Sequence, residues 1–160
     1  MTKNLDKEGL CSIVDNYQLF YIDLWGVIHN GISLHENAIK ALKEITKKGK
    51  EYILLTNAPR PSYAVKSFLE KMGMEKEIRD HVFTSGEASI NYLKKFHKTE
   101  KFFHIGPPRD FDLFKSFEKN KVSNIKNADY LLCSGLFDEY NDDLNYYKSL
   151  FLDHVHKKMI

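Results

Sequence analysis

From Leu19 onward, apolar positions alternate between short continuous runs and helically spaced ones. Leu19 to Val27 reads Leu-Phe-Tyr-Ile-Asp-Leu-Trp-Gly-Val, an apolar run broken by one aspartate and closed by glycine. That pattern predicts a strand buried on both faces. Ser33 and Glu36 stand three apart as in a capping box, Ala38, Leu42 and Ile45 recur at helical spacing, and Gly49 after Lys47 and Lys48 supplies the stop. Tyr52 to Thr56 is a second candidate buried strand. Pro59 and Pro61 then impose a loop before a helix from Ser62 to Met72, ended by Gly73. His81 to Thr84 predicts a third strand, Ser85 a cap for a helix over Gly86 to Phe96, and Lys101 to Ile105 a strand running into Gly-Pro-Pro. Further on, Asp110 to Phe117 reads as a helix and Ala128 to Cys133 as a strand. Asp142 to Lys157 reads as a helix with Leu144, Tyr147, Leu150 and Phe151 on one side.

Strands and helices that alternate with short connections imply right-handed crossovers and a Rossmann-like parallel sheet with helices on both faces. The fold class is α/β.

Composition narrows the partners. The chain has 160 residues, 42% hydrophobic and 29% charged, which is enough to bury a core. Its 24 basic residues against 22 acidic ones include no block of five or more of one sign, so no footprint for nucleic acid or an anionic membrane is present. A small molecule is the expected partner. Cys11 and Cys133 lie far apart without metal or disulfide spacing, which fits packed thiols in a reducing compartment. Met1 to Asn16 has no apolar leader core, and no run approaches the roughly 20 apolar residues of a membrane span. A cytoplasmic protein is the expectation.

The chemistry gathers at two positions. In open parallel sheets the ligand crevice lies outside the carboxyl ends of the strands, where both Asp23 and Thr56 fall. A carboxylate inside an apolar strand costs several kcal/mol unless a metal, donors or solvent compensate it. A solvated strand-end aspartate or a turn cap is the plain reading of Asp23. The functional one is a carboxylate that attacks phosphorus, given a divalent cation and fixed donors to offset anion repulsion. Thr56 and the amide of Asn57 are candidate donors, although a strand-end hydroxyl is often only structural.

Three segments together carry a resemblance: Tyr21-Ile22-Asp23-Leu24-Trp25-Gly26-Val27 with Asn30-Gly31, then Leu54-Leu55-Thr56-Asn57-Ala58-Pro59-Arg60, then Thr84-Ser85-Gly86-Glu87-Ala88. In order and combination they resemble the haloacid dehalogenase superfamily, subclass IIA, which includes sugar-phosphate and 4-nitrophenyl phosphatases. The resemblance runs from about Leu19 to Phe96 and more loosely beyond, where Ala128 to Gly135 is similar to a strand of that subclass's cap domain. It implies an incomplete core over residues 1–98 and the opening of an α/β cap over 99–160. It implies Asp23 as nucleophile and Mg²⁺ ligand, the backbone carbonyl of Trp25 as a second ligand, Thr56 and Asn57 as phosphate binders, and Gly31 in a flap. The substrate implied is a small phosphorylated metabolite.

Two departures bear on activity. Phosphatases of the family place a second aspartate two residues after the nucleophile, where this chain has Trp25, and an indole cannot protonate a leaving group. General acid catalysis supplies roughly 10²- to 10⁴-fold, about 3 to 5 kcal/mol of barrier, so water, substrate or His29 would have to substitute. His29 otherwise reads as a surface or flap histidine. The family's later motifs, a phosphoryl-holding lysine and an acidic pair for Mg²⁺, have no counterpart before Ile160. Lys157 and Lys158 read as a solvated helix tail, and His154 and His156, two apart on that helix, as a poor metal pair.

The leading expectation is therefore the amino-terminal part of a Mg²⁺-dependent phosphohydrolase acting through an aspartyl phosphate at Asp23, inactive alone. One carboxylate and one carbonyl hold Mg²⁺ poorly, and a sheet lacking its later strands leaves an open edge that a complementary carboxyl-terminal fragment could fill. The alternatives are a non-catalytic module binding a phosphorylated metabolite or a protein, and one half of a split enzyme.

Overall fold

The computed structural model describes Leu5 and residues 8–160; the rest of the amino-terminal stretch read above lies outside the described residues. The chain forms two compact units. One holds the chain as far as Asn57 together with Ser62–Phe83, the other Ala58–Pro61 with Thr84–Ile160.

The first unit is built on β1 (Leu19–Asp23), α1 (Glu36–Lys47), β2 (Glu51–Thr56), α2 (Ser62–Lys71), the single turn α3 (Lys76–Arg79) and β3 (Val82–Thr84). The sheet order is β1-β2-β3, and β1 runs parallel to β2 in a register that sets Leu19 against Glu51 and Asp23 against Leu55. Leu42, Ile45, Tyr52, Leu54 and Leu69 are buried. Glycines end α1 and α2 as expected. Gly49 and Gly73 have φ near 67° and 85°, and each is followed by an amide bonded back to the last turn, Lys50 to Ile45 and Met74 to Leu69. This is the left-handed helix terminus that favours glycine.

Two expectations for this unit fail. β1 is not buried on both faces: Leu19, Tyr21 and Asp23 are exposed, and among the described residues β1 pairs only with β2. Asp23 therefore meets solvent at a strand end and carries none of the expected desolvation cost. The Ser33–Glu36 capping box is also absent, because α1 starts from His35 without a side-chain cap. Asn30 takes that part of the chain instead, its side-chain oxygen accepting the amides of Ile32 and Ser33.

The second unit contains α4 (Ser85–Phe96), β4 (Phe102–Ile105), β5 (Tyr130–Cys133), α5 (Leu144–Leu152) and β6 (Lys158–Met159), with 3₁₀ turns at Pro108–Leu113, Lys115–Asn120 and Ile125–Asn127. Its sheet is β4-β5-β6, all parallel. Alternation splits the strands between two cores. Phe102, Tyr130 and Leu132 pack with Ile90 and Leu93 of α4 and with Leu113, Phe114 and Phe117. Ile105 and Leu131 pack with Tyr147, Leu150 and Phe151 of α5.

Here too the structure corrects the sequence reading. Asp110–Phe117 is not an α-helix but the 3₁₀ turns around Phe114. Phe111, Phe114 and Phe117 stand three apart, and residues three apart eclipse in a 3₁₀ helix. The last helix stops at Leu152, and Leu144 is exposed rather than packed beside Tyr147. Lys157 and Lys158 are not the tail of a helix, although Lys158 is exposed as expected. Lys157 donates to the carbonyl of Ala128, Lys158 starts β6, and its Nζ donates to the Tyr92 hydroxyl. His154 and His156 lie in a turn beyond the helix, with ring centroids 6.3 Å apart. Both cysteines are exposed free thiols rather than packed ones.

Candidate active site

The parallel register brings the ends of β1 and β2 side by side. Asp23 faces Leu55 across the pair, so Thr56 and Asn57 stand one and two residues beyond it, at the carboxyl end of the neighbouring strand. Adjacent strands lie roughly 4.8 Å apart, so the carboxylate and this turn share one sheet end. One Asp23 oxygen accepts the amide of Leu24 at 2.8 Å, and the other has no protein donor among the described residues. Thr56 is half-buried and Asn57 exposed.

The segment after Asp23 turns back on itself. The carbonyl of Leu24 accepts the amides of Val27, Ile28 and His29, at 3.3, 2.8 and 3.2 Å, and Gly26, with φ near 78°, donates to the carbonyl of His29 at 2.7 Å. These bonds leave the Trp25 carbonyl without a donor among the described residues. The Trp25 side chain is 68% exposed, and its indole nitrogen stands 3.7 Å from where a side chain on Gly31 would begin. At Gly31 φ is near 91°, a conformation a larger residue resists.

Of the two sequence readings of His29, surface or flap, the structure removes the surface one. His29 is 5% exposed, its Nδ1 accepts the amide of Gly31 at 3.0 Å, and its ring meets Phe68 edge-on at 5.8 Å. Burial and the neighbouring His35 push its pKa below the ordinary value, against the opposing pull of Asp23. The ring is thus neutral near pH 7 and holds its proton on Nε2, which makes it a turn-stabilising acceptor and a poor proton donor.

The loop leaving Asn57 has an anchor the sequence reading did not resolve. Thr84, not Ser85, caps α4: its hydroxyl accepts the amide of Glu87 at 2.9 Å and donates to the carbonyl of Arg60 at 2.5 Å. Ser85 is the first helical residue, and its hydroxyl donates to the carbonyl of Ala58 at 3.0 Å, which also accepts the amide of Gly86 at 3.2 Å. The Thr84-Ser85-Gly86 triplet thus holds Ala58–Pro61 by three hydrogen bonds. Its visible signal was the cluster of small polar residues at the strand–helix junction, which admits either cap.

The donors fit a hard cation chemically, since Asp23 offers a carboxylate oxygen and Trp25 a free carbonyl. Among the described residues no group of three or more histidine, cysteine or acidic side chains converges as a metal cage. A site of one carboxylate and one carbonyl leaves most of the shell of Mg²⁺ to water and substrate phosphate.

Comparison with known proteins assigns the chain to a family. Residues 20–118 match the haloacid dehalogenase-like hydrolase family. The sugar-phosphatase AraL of Bacillus subtilis is 30% identical over 125 residues, which cover 78% of this chain and 46% of that protein. Phosphoglycolate phosphatase 2 of Arabidopsis thaliana is 32% identical over 107 residues, covering 64% of this chain and 35% of that one. A crystal structure of a haloacid dehalogenase-like hydrolase from Brucella suis superposes with a TM-score of 0.76 at 28% identity, over 98% of this chain and 57% of that chain. The chain thus spans half or less of the two curated relatives' length. The family match spans more than half of these residues, and the chain belongs to the haloacid dehalogenase-like hydrolase family.

Proposed function

We propose that these residues carry the nucleophile-bearing part of a magnesium-dependent phosphohydrolase acting on small phosphorylated metabolites, sugar phosphates among them. The observation that carries the reading is the exposed Asp23 carboxylate, with one oxygen free, beside the Thr56–Asn57 turn.

In this reading the free Asp23 oxygen attacks the phosphorus of a monoester, the P–O bond to the alcohol breaks, and an aspartyl phosphate remains for water to hydrolyse. The Thr56 hydroxyl and the Asn57 amide donate to the phosphoryl oxygens and offset the charge gathered there. Mg²⁺, held by Asp23 and the Trp25 carbonyl, would supply the positive charge that lets two anions approach. The leaving alcohol takes its proton from water or from its own substrate, because Trp25 offers no acid and the His29 proton is held by a neutral ring. A turnover roughly 10²- to 10⁴-fold below that of acid-bearing relatives follows.

Residues 1–98 would form part of the catalytic core and 99–160 the opening of a cap. The phosphoryl-holding lysine and the further acidic ligands would come from outside these 160 residues, in a longer product or a complementary fragment, so this segment alone would be inactive. The described helices include none long and apolar enough to cross a membrane, and exposed free thiols suit a reducing compartment such as the cytoplasm.

Trp25 also favours a second reading, a crevice that binds a phosphorylated metabolite without cleaving it. The two separate in one experiment on the gene's full product, which measures phosphate release from sugar phosphates and phosphoglycolate with Mg²⁺ in parallel with their binding. Release abolished by Asp23→Asn supports the hydrolase; saturable binding without release supports the binding module.

A further inference from the structure

We propose that the second unit carries a binding site for a small phosphate-bearing anion, separate in its residues from those of the phosphohydrolase reading. It is a cavity of about 430 Å³ lined by Lys94, Lys98, Ser116, Phe117, Lys119 and Asn120. That size falls in the range of small-ligand pockets, roughly 300 to 1,000 Å³.

Local structure fixes this lining. Lys94 lies in the last turn of α4 and Lys98 in the turn that follows, while Lys119 and Ser116 project from the 3₁₀ turns of Lys115–Asn120. The side-chain nitrogen of Asn120, which is 8% exposed, donates to the carbonyls of Lys98 and Glu100 at 3.3 and 2.8 Å. That clamp ties the two lysine-bearing segments together. Phe117 packs into the core with Leu93 and forms an apolar floor between them.

Charge makes the cavity selective. Among the described residues Lys94, Lys98 and Lys119 make no ion pair or side-chain hydrogen bond, and no carboxylate lines the cavity. Residues 94–121 hold eight lysines and arginines against four carboxylates, in a chain otherwise near balance. Of those carboxylates, Glu100 is bonded to the His97 ring and Asp110 is buried. The carbonyl end of α4 brings the equivalent of about half a negative charge. Lys94 offsets it, and Lys98, Lys119 and the Ser116 hydroxyl supply the other donors of the lining, with Glu118 the exposed carboxylate next to Lys119 in sequence. Two ammonium groups and a hydroxyl over an apolar floor suit a phosphate group attached to a small organic body.

The test is titration of the whole 160-residue chain with inorganic pyrophosphate in metal-free buffer, read by calorimetry and by amide chemical shifts. Saturable binding is expected, with shifts concentrated at residues 94–98 and 116–120. The Lys98→Gln/Lys119→Gln variant should bind at least about tenfold more weakly, about 1.4 kcal/mol, while Asp23→Asn binds as the unaltered chain does. No saturation at millimolar pyrophosphate, or shifts confined to the Asp23–Thr56 end, would overturn the proposal. So would unchanged affinity in the folded double variant. The chemical shifts decide the matter even if that variant fails to fold.

Discussion

Gly86 lies against the backbone of Arg60 so closely that a side-chain carbon on it would stand 2.5 Å from both the Arg60 nitrogen and oxygen. No L-residue other than glycine fits without moving the chain, because the obstruction is backbone rather than the end of a flexible side chain. The contact fixes Ala58–Pro61, the loop that leaves the Thr56–Asn57 turn. Gly86→Ala should therefore destabilise the chain by about 1 to 3 kcal/mol, the usual cost of forcing extra volume into a packed site. Urea unfolding measures this directly, and an unchanged midpoint would show that the loop is not clamped.

Thr84 performs two tasks at the same junction, capping α4 through Glu87 and donating to the carbonyl of Arg60. Thr84→Val keeps the shape and loses both bonds. Losing a cap and a buried partner together should cost about 2 kcal/mol. Thr84→Ser keeps the hydroxyl and should cost well under half as much by the same urea measurement.

How far the sequence reached can be judged from particular residues. The alternation of apolar runs and helical spacing revealed the parallel α/β order, and Gly49 and Gly73 end their helices where a stop was expected, with φ of the left-handed kind. That Asp23 and Thr56 fall at the carboxyl ends of adjacent parallel strands was visible because each closes one of the first two apolar runs. Side-chain capping was not visible: Ser33, Glu36, Thr84 and Ser85 are all competent caps, and tertiary contacts chose among them. His29 was misread because burial depends on the fold of its turn, which no local pattern encodes. Lys158–Met159 was missed because a two-residue strand carries no periodicity, and only its pairing with Tyr130–Leu131 defines it.

His104 should make stability depend on pH. It is 7% exposed, its Nε2 lies 2.8 Å from the Ser134 hydroxyl, and burial first, then Lys121, lowers its pKa to about 4 against the pull of Asp110. A depressed histidine pKa means the unfolded chain binds the proton first. This contribution is fully present above the unfolded value of about 6.5 and is lost as pH falls toward 4. Between pH 7.5 and pH 5 the loss should be about 2 kcal/mol. His104→Gln should flatten that part of the urea-measured pH profile; an equally steep profile in the variant would assign the effect elsewhere.

The end of the described chain belongs to the second unit's core. Ile160 packs against the cluster around Phe102 and Tyr130, donates its amide to Leu131 and accepts that of Cys133. Deleting residues 158–160 removes β6 and this contact, and should destabilise the unit by about 2 to 4 kcal/mol, comparable to a large-to-small core change. Faster hydrogen exchange at Tyr130–Cys133 would report it; unchanged protection there would show that β6 adds nothing.

The claim that Asp23 is the nucleophile is tested most directly by looking for the phosphoryl group on it. The gene's full product, purified through an amino-terminal tag added at the locus, is mixed with 4-nitrophenyl phosphate and Mg²⁺, quenched in acid and mapped by peptide mass spectrometry. The account predicts a phosphoryl group on the peptide containing Asp23, absent after Asp23→Asn together with phosphate release. Release that continues in Asp23→Asn, or a phosphoryl group on another residue, would contradict it.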